Sequence, residues 1–248
     1  MSNAFNTVCD DFYVNLRVGT QMPLPTARDS LLHFFEQIQK AFPDMTRFRR
    51  GDGEYAIEED RDGESYRWLS VETQRLSCGQ VTPDTIDTAL RLHRTVLEQA
   101  PHALGLSRVE IDYVDLLLGF DLEFAGNHDE IVAEGLFADS PMACLLDEPE
   151  AKPVDFQPSV TVAVSGDMRL QARLDVVTRS NSSHGRGVEP PNDVISVYLI
   201  VRRFFGDRLN EPLEALLGSL ADRAETLAHK YVVPKIVQPL RTAIGSRS

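Results

Sequence analysis

Between Arg108 and Phe124 the chain reads "RVEIDYVDLLLGFDLEF". Val109, Ile111 and Tyr113 alternate with polar residues, the period of a half-buried strand. From Val114 onward the apolar set is Val114, Leu116, Leu118, Phe120, Leu122 and Phe124, which has the opposite parity. A slip of one residue sends every side chain of a strand to the other face. A β-bulge near Tyr113 to Asp115 inserts one residue and restores a single apolar face. With that bulge, Glu110, Asp112, Asp115, Asp121 and Glu123 share the opposite, polar face. A strand with one apolar and one acidic side belongs to an antiparallel sheet covered on one face only.

Outward from this strand, the same logic orders the rest of the chain. Upstream, "DFYVNLRVGT" alternates and stops at Gly19. "ARDSLLHFFEQIQKAF" places Leu31, Phe34, Phe35, Ile38 and Phe42 at helical spacing. Three strand-like pieces follow, "TRFRR", "EYAIEED" and "YRWLSVETQRLSCGQV", divided by the turn signals "GDG" and "DRDGES". "TPDTIDTALRLHRTVLEQA" reads as a helix with Thr82 as N-cap and Pro83 at its first position. Downstream, "NHDEIVAEGLFA" is a short helix capped by Asn127. "SVTVAVSGDMRLQARLDVV" is a hairpin turning at Gly166-Asp167. "VISVYLIVRRFF" is a further strand. A long amphipathic helix runs from Glu211 to about Arg241, with Pro234 set to kink or interrupt it. The first additional strand of this second half is either "PMACLL" or the Val160 run.

The element order repeats without a residue-level repeat. It gives an α+β fold of tandem β-α-βββ-α halves, residues 1–105 and 106–248, forming one compact unit. Its single antiparallel sheet carries helices packed on one face, in the manner of TATA-binding-protein-like or helix-grip folds.

Three segments carry a family likeness: "LGLSRVEIDYVDLL", "RLQARLDVVTR" and "ETLAHKYVVPKIVQPLR". With them, the chain resembles a sporadically distributed, uncharacterised bacterial family of about 250 residues. The likeness implies a similar layout and brings no activity with it.

Composition narrows the function. The 25 basic and 38 acidic residues leave a net charge of −13, which repels nucleic acid and anionic membranes unless cations gather on one face. Arg47, Arg49 and Arg50 form the densest basic group, and acids follow close behind. The three cysteines are far apart and form no CxxC pair, which fits a reducing compartment. The N-terminal residues lack a signal-peptide pattern, and no apolar run approaches the length of a membrane span. The expected location is the cytoplasm. Neither a dinucleotide-binding glycine motif nor a Walker A sequence is present, and no zincin-type histidine spacing occurs, so no cofactor or metal is expected.

The candidate catalytic residues are Glu110, Asp112, Asp115 and Asp175 on adjacent strands, with His184 in the loop "SNSSHGRGVEPP". Close carboxylates can raise one another's pKa or hold a hard cation. Against this, acidic neighbours at i and i+2 sit about 7 Å apart along a strand, as on an ordinary solvent face. The candidate binding residues are Arg17, Arg75, Arg173 and Arg186. Opposite charges across strands stabilise a sheet and also prepare a polar face for a ligand. The sequence therefore supports a binding or interaction protein for an unknown small molecule or protein. Its site is the polar sheet face or the groove between sheet and C-terminal helix, and a homo-oligomer is among the assemblies expected. The alternative is a metal-assisted enzyme built on those carboxylates. If the acids converge, the enzyme gains a basis. If each pairs with an arginine, it loses one.

Overall fold

The computed structural model describes residues 4–25, 27–51, 53–179, 192–205 and 212–247. Nine strands form one antiparallel sheet: β1 (Asp11–Thr20), β2 (Arg47–Gly51), β3 (Glu54–Glu58), β4 (Tyr66–Glu72), β5 (Arg75–Val81), β6 (Ile111–Ala125), β7 (Ser159–Ala163), β8 (Leu170–Val177) and β9 (Asn192–Phe204). Their order across the sheet is β2-β3-β4-β5-β1-β6-β9-β8-β7. The first strand of each half, β1 or β6, lies at the centre. Each half then runs outward from its last strand to its second, so the two halves wind alike. The β1–β6 ladder joins them without a break.

The helices are α1 (Arg28–Ala41), α2 (Ile86–Ala103), α3 (His128–Phe137), α4 (Leu213–Leu227) and α5 (Gln238–Gly245). They cover the apolar face expected from the alternation. Phe12, Val14, Leu16 and Val18 of β1 are buried there, as are Val114, Leu116, Leu118, Phe120 and Leu122 of β6. Phe5, Phe12 and Phe120 meet with ring centroids 5.1 to 5.6 Å apart. Each such fully buried side chain contributes about 1.5–3 kcal/mol relative to exposure.

Five local features settle or depart from the sequence expectation. First, "YRWLSVETQRLSCGQV" is a hairpin rather than one strand. β4 and β5 pair through Glu72 and Arg75, with Thr73 and Gln74 at the tip. The first half therefore has four strands after α1. Second, α2 is capped by Thr85, whose side chain accepts from the Thr88 N–H, and not by Thr82. Thr82 directly follows β5, its N–H donating to Phe12 O of β1 at 2.7 Å, and its φ of 43° lies outside the helix. Third, "PMACLL" forms a short 3-10 helix at Pro141–Asp147, and the Val160 run is the strand β7.

Fourth, the C-terminal helix begins at Leu213 in the described residues, and Glu211 lies outside them. The wider turns of a π-helical segment, Ala228–Val237, take up Pro234. Proline has no N–H and crowds the carbonyl of the preceding turn, and a π segment is one of the few ways to carry it through. Fifth, the β6 bulge falls one residue before the expected stretch, Tyr113 to Asp115. Gly19 pairs with Tyr113 and Thr20 with Ile111, so Asp112 is the inserted residue. Asn127 caps α3 as expected, its side chain accepting from the N–H groups of Asp129 and Glu130.

Candidate functional site

The uncovered face of the sheet, from β1 across the second half, carries three rows of side chains, set by the register of β1, β6, β9, β8 and β7. One row runs Arg17, Asp115, Arg202, Gln171. The next runs Asn15, Leu117, Ile200, Arg173, Thr161. The third runs Tyr13, Gly119, Tyr198, Asp175, Ser159. These rows floor a cavity of about 770 Å³, with Gln157 and Pro158 also lining it. That volume lies within the usual range for ligand pockets, roughly 300–1,000 Å³.

Two glycines on the uncovered face leave room for aromatic rings. A Cβ on Gly119 would overlap the Tyr13 ring, and one on Gly19 would overlap the Tyr113 ring. The rings occupy the space a side chain would need, so aromatic groups lie across the sheet. The Tyr13 hydroxyl donates to Asp121 Oδ1 at 3.1 Å. Burial pushes the Tyr13 phenol well above its ordinary value, and the nearby Asp121 charge and Tyr198 add to the shift. Burial likewise raises the Asp121 carboxyl, against the hydrogen bonds from Ser196 and Tyr13 that favour its ionised form.

The charged row is mostly self-paired. Arg202 grips Asp115 through two parallel hydrogen bonds, Nε to Oδ1 at 2.6 Å and Nη2 to Oδ2 at 2.7 Å. Asp115 is 1 % exposed, so this fork–fork contact supplies what water no longer does. The same guanidinium lies 4.0 Å from the Tyr113 ring centroid. Arg173 holds Asp175 at 2.8 Å. Among the described residues Arg17 has no ion pair, although it faces Asp115 directly across the β1–β6 ladder. Both oxygens of Asp115 are already taken by Arg202.

Four sequence candidates therefore line one cavity: Arg17, Asp115, Arg173 and Asp175. The rest do not. Glu110 is not on the strand: it sits in a 3-10 turn and its carboxylate accepts the Ser107 N–H at 3.1 Å. Val109, assigned to the apolar face, is 84 % exposed on that turn. Asp112 is the bulge residue and does not line the cavity. Arg75 pairs with Glu72 at the tip of the β4–β5 hairpin. His184 and Arg186 lie outside the described residues. Asp115 and Asp175 are two strands and four register positions apart, about 13 Å along the strand direction alone. Among the described residues, no three His, Cys, Asp or Glu side chains group as metal ligands.

Sequence reasoning missed Tyr13, Tyr198 and Arg202. Arg202 and Tyr198 were legible only as strand residues of "VISVYLIVRRFF". Their partners come from the register of β9 between β6 and β8, which the alternation does not specify.

The other place suggested by the sequence, the groove between sheet and C-terminal helix, is filled. Leu213, Leu216, Leu217, Leu220, Ala221 and Ala224 are buried there as core. Of the remaining histidines, His93 is fully buried on α2, and His229 is exposed and stacks on Phe5 at 4.5 Å. The basic group on β2 is spread over ion pairs, Arg47 with Asp60 and Arg49 with Glu54. Among the described residues, no helix is long and apolar enough to cross a membrane.

No protein-family model matches the chain, and no curated protein matches it. Among solved structures, the chain is similar to one in the crystal structure of A. aeolicus tRNASec in complex with M. kandleri SerRS. The identity is 14 %, and the match covers 96 % of this chain and 31 % of that one, with a TM-score of 0.29. The chain thus spans about a third of that chain's length. At this TM-score the likeness carries no argument about fold or function.

Proposed function

We propose that this is a non-enzymatic binding protein whose ligand lies on the polar sheet face, over β1, β6, β9, β8 and β7. One observation carries the reading. The cavity of about 770 Å³ is floored by side chains that are hydrogen-bonded to one another, beside a guanidinium, Arg17, that has no ion-pair partner among the described residues. Ordered polar groups around one unspent charge are what a preorganised binding site requires. The pairing of Asp115 with Arg202 and of Asp175 with Arg173 leaves neither carboxylate placed for shared proton or metal chemistry. That pairing is why binding is favoured over a metal-assisted enzyme.

The acidic balance of the chain supports a partner other than nucleic acid or an anionic membrane. The cysteines, Cys9 and Cys78 buried and Cys144 exposed, are all free, in keeping with a cytoplasmic setting. The test is thermal-shift screening of the full chain against small anions, cations, nucleotides and divalent metals. A ligand that binds only the folded state raises the melting temperature. The proposal expects a stabilising ligand whose effect disappears in Arg17→Gln. Stabilisation by a divalent metal that needs Asp115 and Asp175 would replace it with the enzyme reading.

A further inference from the structure

We infer that the ligand is an organic monoanion with an apolar body: a carboxylate or phosphodiester head on Arg17 and a hydrocarbon segment across Leu117 and Ile200. The inference rests on the proposal that the polar sheet face is the binding site, and it names the ligand's chemistry.

The charge argument comes first. Arg17, Arg173 and Arg202 line the cavity with Asp115 and Asp175, three cations against two anions. Arg202 is spent on Asp115, and Arg173 on Asp175. The surplus is a single positive charge, and it resides on Arg17. In a chain of net charge −13, a locally cationic cavity is a departure from the surrounding surface. A guanidinium presents a planar fork of donors that matches carboxylate or phosphate oxygens. A dianion would leave one charge uncompensated in a partly enclosed site, and a cation would meet Arg17 without a free carboxylate to receive it.

The body follows from the middle row. Leu117 and Ile200 are directly paired across β6 and β9, between Asn15 on one side and Arg173 on the other. Half-buried Ile200 and the edge of Leu117, which is 3 % exposed, make a narrow apolar strip in an otherwise polar floor. Tyr13 and Tyr198 flank it in the next row, with Gly119 between them, so ring surface continues the strip. Arg17 is one row away from Leu117, two residues apart on paired strands. A head on Arg17 therefore directs its substituent onto the strip.

The experiment is isothermal titration of the full chain with four probes: 4-phenylbutyrate, methyl phenyl phosphate, 4-phenylbutanol and 4-phenylbutylamine. Each is titrated into the wild type, Arg17→Gln, Arg17→Lys and Leu117→Asn, with thermal melting to establish that each variant folds. The inference predicts that one or both anions bind about tenfold or more tighter than the alcohol and the amine. The better anion identifies the head group as carboxylate or phosphodiester. Arg17→Gln removes the preference for the anion, Arg17→Lys keeps part of it, and Leu117→Asn weakens all probes together. Tighter binding of the alcohol or the amine, lost in Leu117→Asn, would overturn the monoanion and leave the sheet-face site standing. Anion binding unaffected by both Arg17→Gln and Leu117→Asn, or no binding of any probe, would overturn the inference and the sheet-face site together.

Discussion

Arg202 holds both carboxylate oxygens of Asp115, and so Arg17, which faces Asp115 from the neighbouring strand, is left with its charge unspent. Two arginines flank one aspartate, and only one can use it. The pair is structural, and the remaining cation is what makes the sheet face more than a solvated surface.

The pair itself is testable through stability. Asp115 is almost wholly buried, so Arg202→Ala strands a desolvated carboxylate, a cost of about 3 kcal/mol. The double variant Asp115→Asn/Arg202→Ala removes the stranded charge and should recover a large part of that loss. Urea unfolding of the two single variants and the double variant gives the coupling directly. Additive losses would show that Arg17 takes over the carboxylate when Arg202 is gone.

The Tyr13 ring over Gly119 predicts a steric result. Gly119→Ala places a methyl group in the space of the Tyr13 ring, and the strain should cost about 1–3 kcal/mol. Tyr13→Ser in the same chain vacates that space, so the double variant should lose less than the sum of the two. Equal losses with and without the ring would mean that the glycine serves the backbone instead.

His93 sets a pH dependence. Burial on α2 holds its imidazole down to about 3, with the Val14 backbone pulling weakly the other way. An unfolded histidine titrates near 6.5. Between those values the unfolded chain binds a proton that the folded chain refuses. This contribution is therefore constant above pH 6.5 and is lost as pH falls, by about 1.4 kcal/mol per unit. Urea midpoints at pH 7 and pH 5 should show the loss, and His93→Leu should flatten it. A slope unchanged in His93→Leu would assign the acid sensitivity elsewhere.

Asn127 joins the cap of α3 to the loop ahead of β7. Its side chain accepts from Asp129 and Glu130 and donates to Pro153 O at 3.2 Å. Asn127→Ala should cost about 1 kcal/mol, and Asn127→Asp, which keeps the acceptor but not the donor, clearly less. Thermal denaturation of the two variants makes the comparison.

Much of this architecture was legible in the alternation of apolar residues. The opening stretch foretold a bulged central strand with a polar outer face, because burying Val114, Leu116, Leu118 and Phe120 on the same side as Ile111 demands one inserted residue. It could not say which residue. The ladder makes it Asp112, and that change takes Glu110 off the strand and into a 3-10 turn. The β4–β5 hairpin was invisible because its tip, Thr73-Gln74, contains no Gly, Asn or Pro. The site was half legible. Arg17, Asp115, Arg173 and Asp175 were identifiable as polar-face residues of their strands. Which charge cancels which depends on cross-strand register, and a sequence period of two carries no information about neighbours on other strands. Arg202 decides the whole charge balance and was missed for that reason.

The most direct test of the central claim is to map amide chemical-shift changes on the isotope-labelled chain during titration with 4-phenylbutyrate and, separately, methyl phenyl phosphate. The account predicts that the changes cluster on the rows around Arg17, Asp115, Leu117, Ile200 and Tyr198. Changes confined to α4 and the helix-covered face of the sheet, with these rows unmoved, would contradict it.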